Sequence, residues 1–98
     1  MKNEQSLVFA LGLAQKAGQA VSGDFAVQEA LRKGKVKLLV IAKDASDNSR
    51  KRLINFCGEH GITRVDALDR MRLGWALGKG PRTAVAIMDN NFVRMIMD

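Results

Sequence analysis

The stretch Val36–Ala42, "VKLLVIA", limits the fold more than any other part of the chain. It is β-branched and apolar without a break after Lys37. A run this short and this uniformly apolar reads as a central strand buried on both faces. "TAVAIMD", Thr83–Asp89, reads as a second one. Central strands of that kind need a layer of helices on each side of the sheet.

The flanking segments supply those helices. From Gln5 to Ala17 the apolar residues Leu7, Ala10, Leu11 and Ala14 fall at helical spacing, and Gly18 ends the pattern. Ala20–Ser22 is short and extended, an edge strand. Gly23-Asp24 turns the chain into a second helix buried through Val27, Ala30 and Leu31, with Gly34 as its C′ residue. Ser46 or Asp47 caps a third helix, which carries Arg50, Leu53, Ile54 and Cys57 on one face and stops at Gly61. "ITRVDA" is a short strand. Asp66 or Asp69 then caps a fourth helix bearing Leu68, Met71 and Trp75, and on that stripe Trp75 reads as core. After the "GKGPR" turn and the last strand, Asn90 or Asn91 starts a terminal helix with Phe92, Val93 and Ile96. Five helices alternating with four short strands predict an α/β protein, a three-layer α/β/α sandwich. At 98 residues the expectation is a single domain, 1–98.

Composition excludes several chemistries. One Cys and one His give neither an internal disulfide framework nor a Cys/His zinc site. The carboxylate pairs Asp44/Asp47 and Asp66/Asp69 sit where helices begin and read as caps, too few for a metal. No cofactor is expected. Cys57 and His60 lie three residues apart on the third helix, but nothing orients the imidazole and Cys57 falls on the apolar stripe. "GKGPR" precedes a strand and lacks the phosphate-loop spacing. The chain therefore reads as a non-enzyme. No run approaches the ~20 apolar residues of a membrane span. "MKNEQSLVFALGLAQKAG" reads as an amphipathic helix, not a signal peptide. The single thiol fits a reducing cytoplasm. A net charge of +6 points to a polyanionic partner, nucleic acid first, against the plainer reading of a soluble basic protein.

Two segments offer a grip on such a partner. At Ser22-Gly23-Asp24 a helix begins, with free amides, a favourable dipole and no Cβ at Gly23 to hold a phosphate away. The alternative is an ordinary turn in which Asp24 caps those amides. The second segment, "RMRLGWALGKGPRT", sets Arg70, Arg72, Lys79 and Arg82 around a glycine-rich turn. Arginines there contact phosphates and apolar loop residues pack on splayed bases, or else the cations are a solvated face. Leu73 and Gly78–Arg82 are the contact candidates. A third basic patch, Arg32, Lys33, Lys35 and Lys37, ends the second helix, where cations also suit the dipole. Arg50, Lys51 and Arg52 sit at the opposite, unfavourable end of theirs.

Four strings in this order, "LGLAQKAGQAVSG", "VKLLVIAKDAS", "LGWALGKG" and "TAVAIMD", make the chain resemble the bacterial YlxQ-like branch of the L7Ae/L30e ribosomal proteins, from about Ser6 to Met95. The resemblance implies a mixed four-stranded sheet in an α/β/α sandwich. It also implies binding of kink-turn RNA through the start of the second helix, Ser22–Glu29 here, and the loop before the last strand, Leu73–Arg82. The family's helix-mouth pattern is Gly, any residue, Asn, Glu, two more, then Lys. This chain keeps Gly23 but has Phe25, Ala26 and Glu29 at the other three positions. Leu73, Gly74 and Gly78 match the second loop, and Lys79 and Arg82 are its phosphate ligands. Asp44 matches an acidic loop in which Lys43 replaces a Glu and makes the rim more basic. The expected RNA-binding residues are thus Ser22, Gly23, Asp24, Phe25, Lys33, Lys43, Leu73, Gly74, Gly78, Lys79 and Arg82. The expectation is a cytoplasmic, monomeric binder of structured RNA, ribosomal RNA among the candidates, with weaker base readout than its archetypes. The alternative is a protein–protein docking module on a ribosome or transcription partner.

Overall fold

The computed structural model describes residues 3–98. Met1 and Lys2, the one cation ahead of the first apolar stretch, lie outside the described residues. The elements run α1 (Glu4–Lys16), β1 (Ala20–Ser22), α2 (Asp24–Arg32), β2 (Leu38–Ile41), α3 (Asp47–His60), β3 (Thr63–Asp66), α4 (Arg70–Ala76), β4 (Ala84–Ile87) and α5 (Asn90–Met97). Each expected element is present. The α/β fold with a four-stranded mixed sheet is as the sequence predicts.

The sheet order is β1-β4-β2-β3. β4 is antiparallel to both β1 and β2, while β2 and β3 are parallel. All four residues of β2 and of β4 are buried, which accounts for the unbroken apolar runs. Alternation sorts them between two cores. Leu38, Val40, Val85 and Ile87 face α1, α4 and α5 through Leu7, Leu11, Leu73, Leu77 and Ile96. Leu39, Ile41, Ala84 and Ala86 face α2 and α3 through Val27, Leu31, Leu53 and Cys57. Burial of each such Leu contributes about 1.5–3 kcal/mol.

The helix starts are capped by side chains in three cases of interest. Ser46 Oγ accepts from the Ser49 amide at 3.3 Å, and Asp69 accepts from the Arg72 amide at 2.7 Å. α5 is capped by Asp89, which accepts from the Asn91 amide at 2.7 Å, rather than by either asparagine.

The fourth helix differs from expectation in its buried face. Leu68 has φ 62° and precedes the Asp69 cap, so it does not belong to the helical stripe. The buried positions of α4 are Leu73 and Gly74. Trp75, expected in the core, is 72% exposed, and Met71 is 67% exposed. Leu73, expected at a contact surface, is fully buried. Leu73 and Leu77 carry the inward face that the sequence reading assigned to Met71 and Trp75.

Candidate nucleic-acid interface

Register fixes which loops meet. Ser22 pairs with Val85, Ile41 with Ala84, and Ile41 also with Asp66. The C-terminal ends of β1, β2 and β3 and the start of β4 therefore share one end of the sheet. α2, α3 and α4 all begin there, and so does the Gly78–Thr83 loop end. The two segments singled out from the sequence are neighbours. Arg82 Nε donates to Ser22 Oγ at 3.0 Å.

At the mouth of α2, Gly23 has φ 95° and ψ 141°, a backbone state that L side chains rarely adopt. Among the described residues no side chain caps this helix. The Val27 amide bonds Gly23 O at 2.9 Å, and among the described residues no group accepts from the amides of Asp24, Phe25 and Ala26. Asp24 does not consume them. Its carboxylate meets Arg52 at 3.4 Å instead, which offsets the negative charge beside the mouth. Arg50 likewise pairs with Asp66 at 2.8 Å. These partners account for two cations at the unfavourable end of α3.

The second segment is held by close backbone packing. A Cβ on Gly74 would overlap Gly80 O and come within 2.6 Å of the Gly80 carbonyl carbon and 3.1 Å of Pro81 Cα. The Lys79 amide bonds Gly74 O at 2.9 Å and the Arg82 amide bonds Arg70 O at 3.0 Å. α4 and the glycine loop thus form one unit, with Gly74 as buried contact and not as surface. The Arg82 guanidinium also donates through Nη1 to Gly80 O and Pro81 O at 3.2 and 3.0 Å. Its Nη2 takes no acceptor among the described residues. Arg82 is both a tie between the loop and the helix mouth and a cation aimed at the same edge.

Lys43 is exposed in the loop after β2, which is anchored to this end by Ala42 N to Thr83 O and Lys43 N to Leu68 O, both 2.8 Å. Asp44 accepts from the Arg70 amide at 2.8 Å and pairs with its guanidinium at 3.5 Å. Asp24, Asp44, Asp66 and Asp69 each have a carboxylate oxygen engaged, while Asp66 Oδ1 is buried without a hydrogen-bond partner among the described residues. Lys43 and Lys79 hold no ion pair among the described residues, so their charge is available to a ligand. Lys33 is not part of this face. It follows α2 at its C-terminus, about 15 Å along the axis from Gly23, and the Lys37 amide there bonds Ile87 O at the far end of the sheet.

Cys57 lies in the α2–α3 core, 4% exposed. Burial pushes its thiol above the ordinary value, against an opposing pull from the Arg64 guanidinium. The His60 ring stacks on Phe56 at 6.0 Å. An alkylating reagent is expected to modify Cys57 only on unfolding, so labelling should follow the unfolding curve. Rapid modification of the native protein would contradict the buried placement. Among the described residues no helix is long and apolar enough to cross a membrane.

Sheet order and layering define a small α/β/α protein built on a four-stranded mixed sheet. The chain belongs to the Ribosomal protein L7Ae/L30e/S12e/Gadd45 family, whose profile matches residues 5–96. Two similar proteins are each called RNA-binding protein YlxQ. The one from Bacillus subtilis is 32% identical over 87 residues, covering 89% of this chain and 87% of its own. The one from Enterococcus faecium is 27% identical over 92 residues, covering 94% and 88%. A solved structure of a Bacillus halodurans protein of unknown function superposes with a TM-score of 0.86 at 32% identity, covering 92% of this chain and 91% of that one.

Proposed function

We propose that this chain is a non-enzymatic, cytoplasmic binder of structured RNA that acts as a monomeric single domain, with kink-turn-like RNA of the ribosome or translation apparatus as its target. The observation that carries the reading is the bond from Arg82 to Ser22. It joins the unpartnered amides of α2 to the Lys79–Arg82 loop in one cationic face. Phosphates are met by backbone N–H groups at the helix mouth and by Lys43, Lys79 and Arg82. Phe25, 80% exposed, stands where the family pattern has Asn and offers a base a face rather than a hydrogen-bonding edge. The names of the two YlxQ relatives support RNA as the ligand class. Shape and phosphate placement then dominate over base readout.

The test compares a kink-turn RNA with a straight duplex of the same length and composition. The kink-turn is expected to bind at least tenfold more tightly, because only a sharp bend brings two backbones to the two segments at once. Equal affinities would reject the kink-turn assignment and leave a general RNA binder.

A further inference from the structure

The aromatic residues of this protein are distributed against the usual pattern. The chain has four Phe and one Trp. Three of them, Phe9, Phe25 and Trp75, are 65%, 80% and 72% exposed. Such residues ordinarily supply core. Phe25 belongs to the face already described. Phe9 and Trp75 do not, and they meet across an open cleft of about 380 Å³ between α1 and α4, lined also by Gln5, Val8 and Arg72.

We infer that this cleft seats an unpaired nucleobase of an RNA strand that leaves the α2–loop face, an inference that rests on the RNA reading above. Each lining residue has a matching part on a nucleotide. The rings of Phe9 and Trp75 present π faces for stacking, and Val8 gives an apolar floor. The Gln5 amide carries both donors and an acceptor for a base edge. Arg72 supplies a cation for the phosphate or for the ring face. Its Nη1 is held by Glu4 at 2.6 Å, which fixes the guanidinium at the cleft and partly offsets its charge.

Continuity with the RNA face argues for RNA over an apolar protein segment. Trp75 stands about 7.5 Å along α4 from Arg70. Arg70 O holds the Arg82 amide at 3.0 Å, and Trp75 O holds the Gly78 amide at 2.9 Å. α4 therefore carries Arg70 at its start and the indole near its end, with the Gly78–Arg82 loop bonded to both, so the cleft adjoins the cationic loop along one short helix. Both ligands of this rim, phosphate and base, suit a chain of net charge +6.

The only tryptophan is its own reporter. The protein is titrated with two kink-turn RNAs, one blunt and one with a short single-stranded adenosine extension, and both affinity and indole emission are followed. The extended RNA is expected to quench Trp75 and to bind about tenfold more tightly than the blunt one, the size expected of one stacked base. Trp75→Leu and Phe9→Ala should remove that advantage and leave blunt-RNA affinity unchanged, while Trp75→Phe should restore most of it. Both positions are exposed, so these variants keep the core intact. Equal affinity for the two RNAs with unmoved emission would overturn the cleft inference alone and leave the α2–loop face standing. Failure of both RNAs to bind would overturn the RNA reading and this inference with it.

Discussion

Gly74→Ala is expected to destabilise the protein by about 3 kcal/mol, although helix propensity by itself predicts the opposite sign. Within a helix, Gly→Ala ordinarily gains roughly 1 kcal/mol. At Gly74 the added methyl group meets the backbone of Gly80 and Pro81, which cannot swing aside as the end of a side chain can. The loop must lift off α4, which breaks the amide bonds from Lys79 to Gly74 and from Arg82 to Arg70. Gly58 is the matched control. It lies inside α3, and a Cβ there meets open space. Gly58→Ala should therefore stabilise by about 0.5–1 kcal/mol. Urea unfolding of the two variants reads opposite displacements of the midpoint. A neutral or stabilising Gly74→Ala would mean that the loop is not packed on the helix. Because the loop carries Lys79 and Arg82, the same variant should also weaken RNA binding, an effect that Gly58→Ala lacks.

Much of this architecture was legible in the chain because the responsible physics is local. Val36–Ala42 and Thr83–Asp89 are apolar at every position of their strands since both faces are covered. α1 and α2 show their buried stripes at helical spacing, and the buried residues are Leu7, Ala10, Leu11 and Ala14, then Val27, Ala30 and Leu31, as read. α4 was harder. Met71/Trp75 and Leu73/Leu77 are both spaced by four, and only the start of the helix at Asp69, with Leu68 left outside in a positive-φ turn, decides between them. Asp69 is one of the two capping residues that the sequence offers there. The Asp89 cap is not distinguishable by sequence from the two asparagines beside it, which are equally good capping residues.

The interface shows the same division. Gly23 and the Gly78–Arg82 loop were identifiable as sites without steric bulk next to cations. Their adjacency was implied by the family resemblance and not by any local pattern, since it depends on β1 lying beside β4 across 60 residues of chain. Lys33 looked equivalent to Lys43 in sequence, yet the direction of α2 sends the two to opposite ends of the sheet. The ion pairs Arg52–Asp24 and Arg50–Asp66 were anticipated only as an anomaly of charge at the start of α3. Trp75 was drawn into the core by a stripe in the wrong phase, and its exposure is what opens the cleft beside Phe9.

The charge of the proposed face leads to the largest effect on binding. If about four phosphates are neutralised, the logarithm of affinity falls with the logarithm of salt at a slope near −3 to −4. Raising salt from about 50 to 200 mM should then weaken binding by about a hundredfold. Lys79→Ala and Arg82→Ala together should lower affinity at low salt and reduce the slope by about 2 in magnitude. Lys79 is exposed and holds no ion pair among the described residues, so its part of the effect is purely electrostatic. Arg82 also ties the loop to Ser22, so its loss further loosens the two segments.

Affinity for a kink-turn RNA across a salt series, measured for the unmodified protein and for the Lys79→Ala/Arg82→Ala variant, tests the central claim most directly. The structure predicts a steep dependence that becomes shallower in the variant. A slope near zero, or one that the two substitutions leave unchanged, would contradict a cationic RNA face built from the α2 mouth and the Gly78–Arg82 loop.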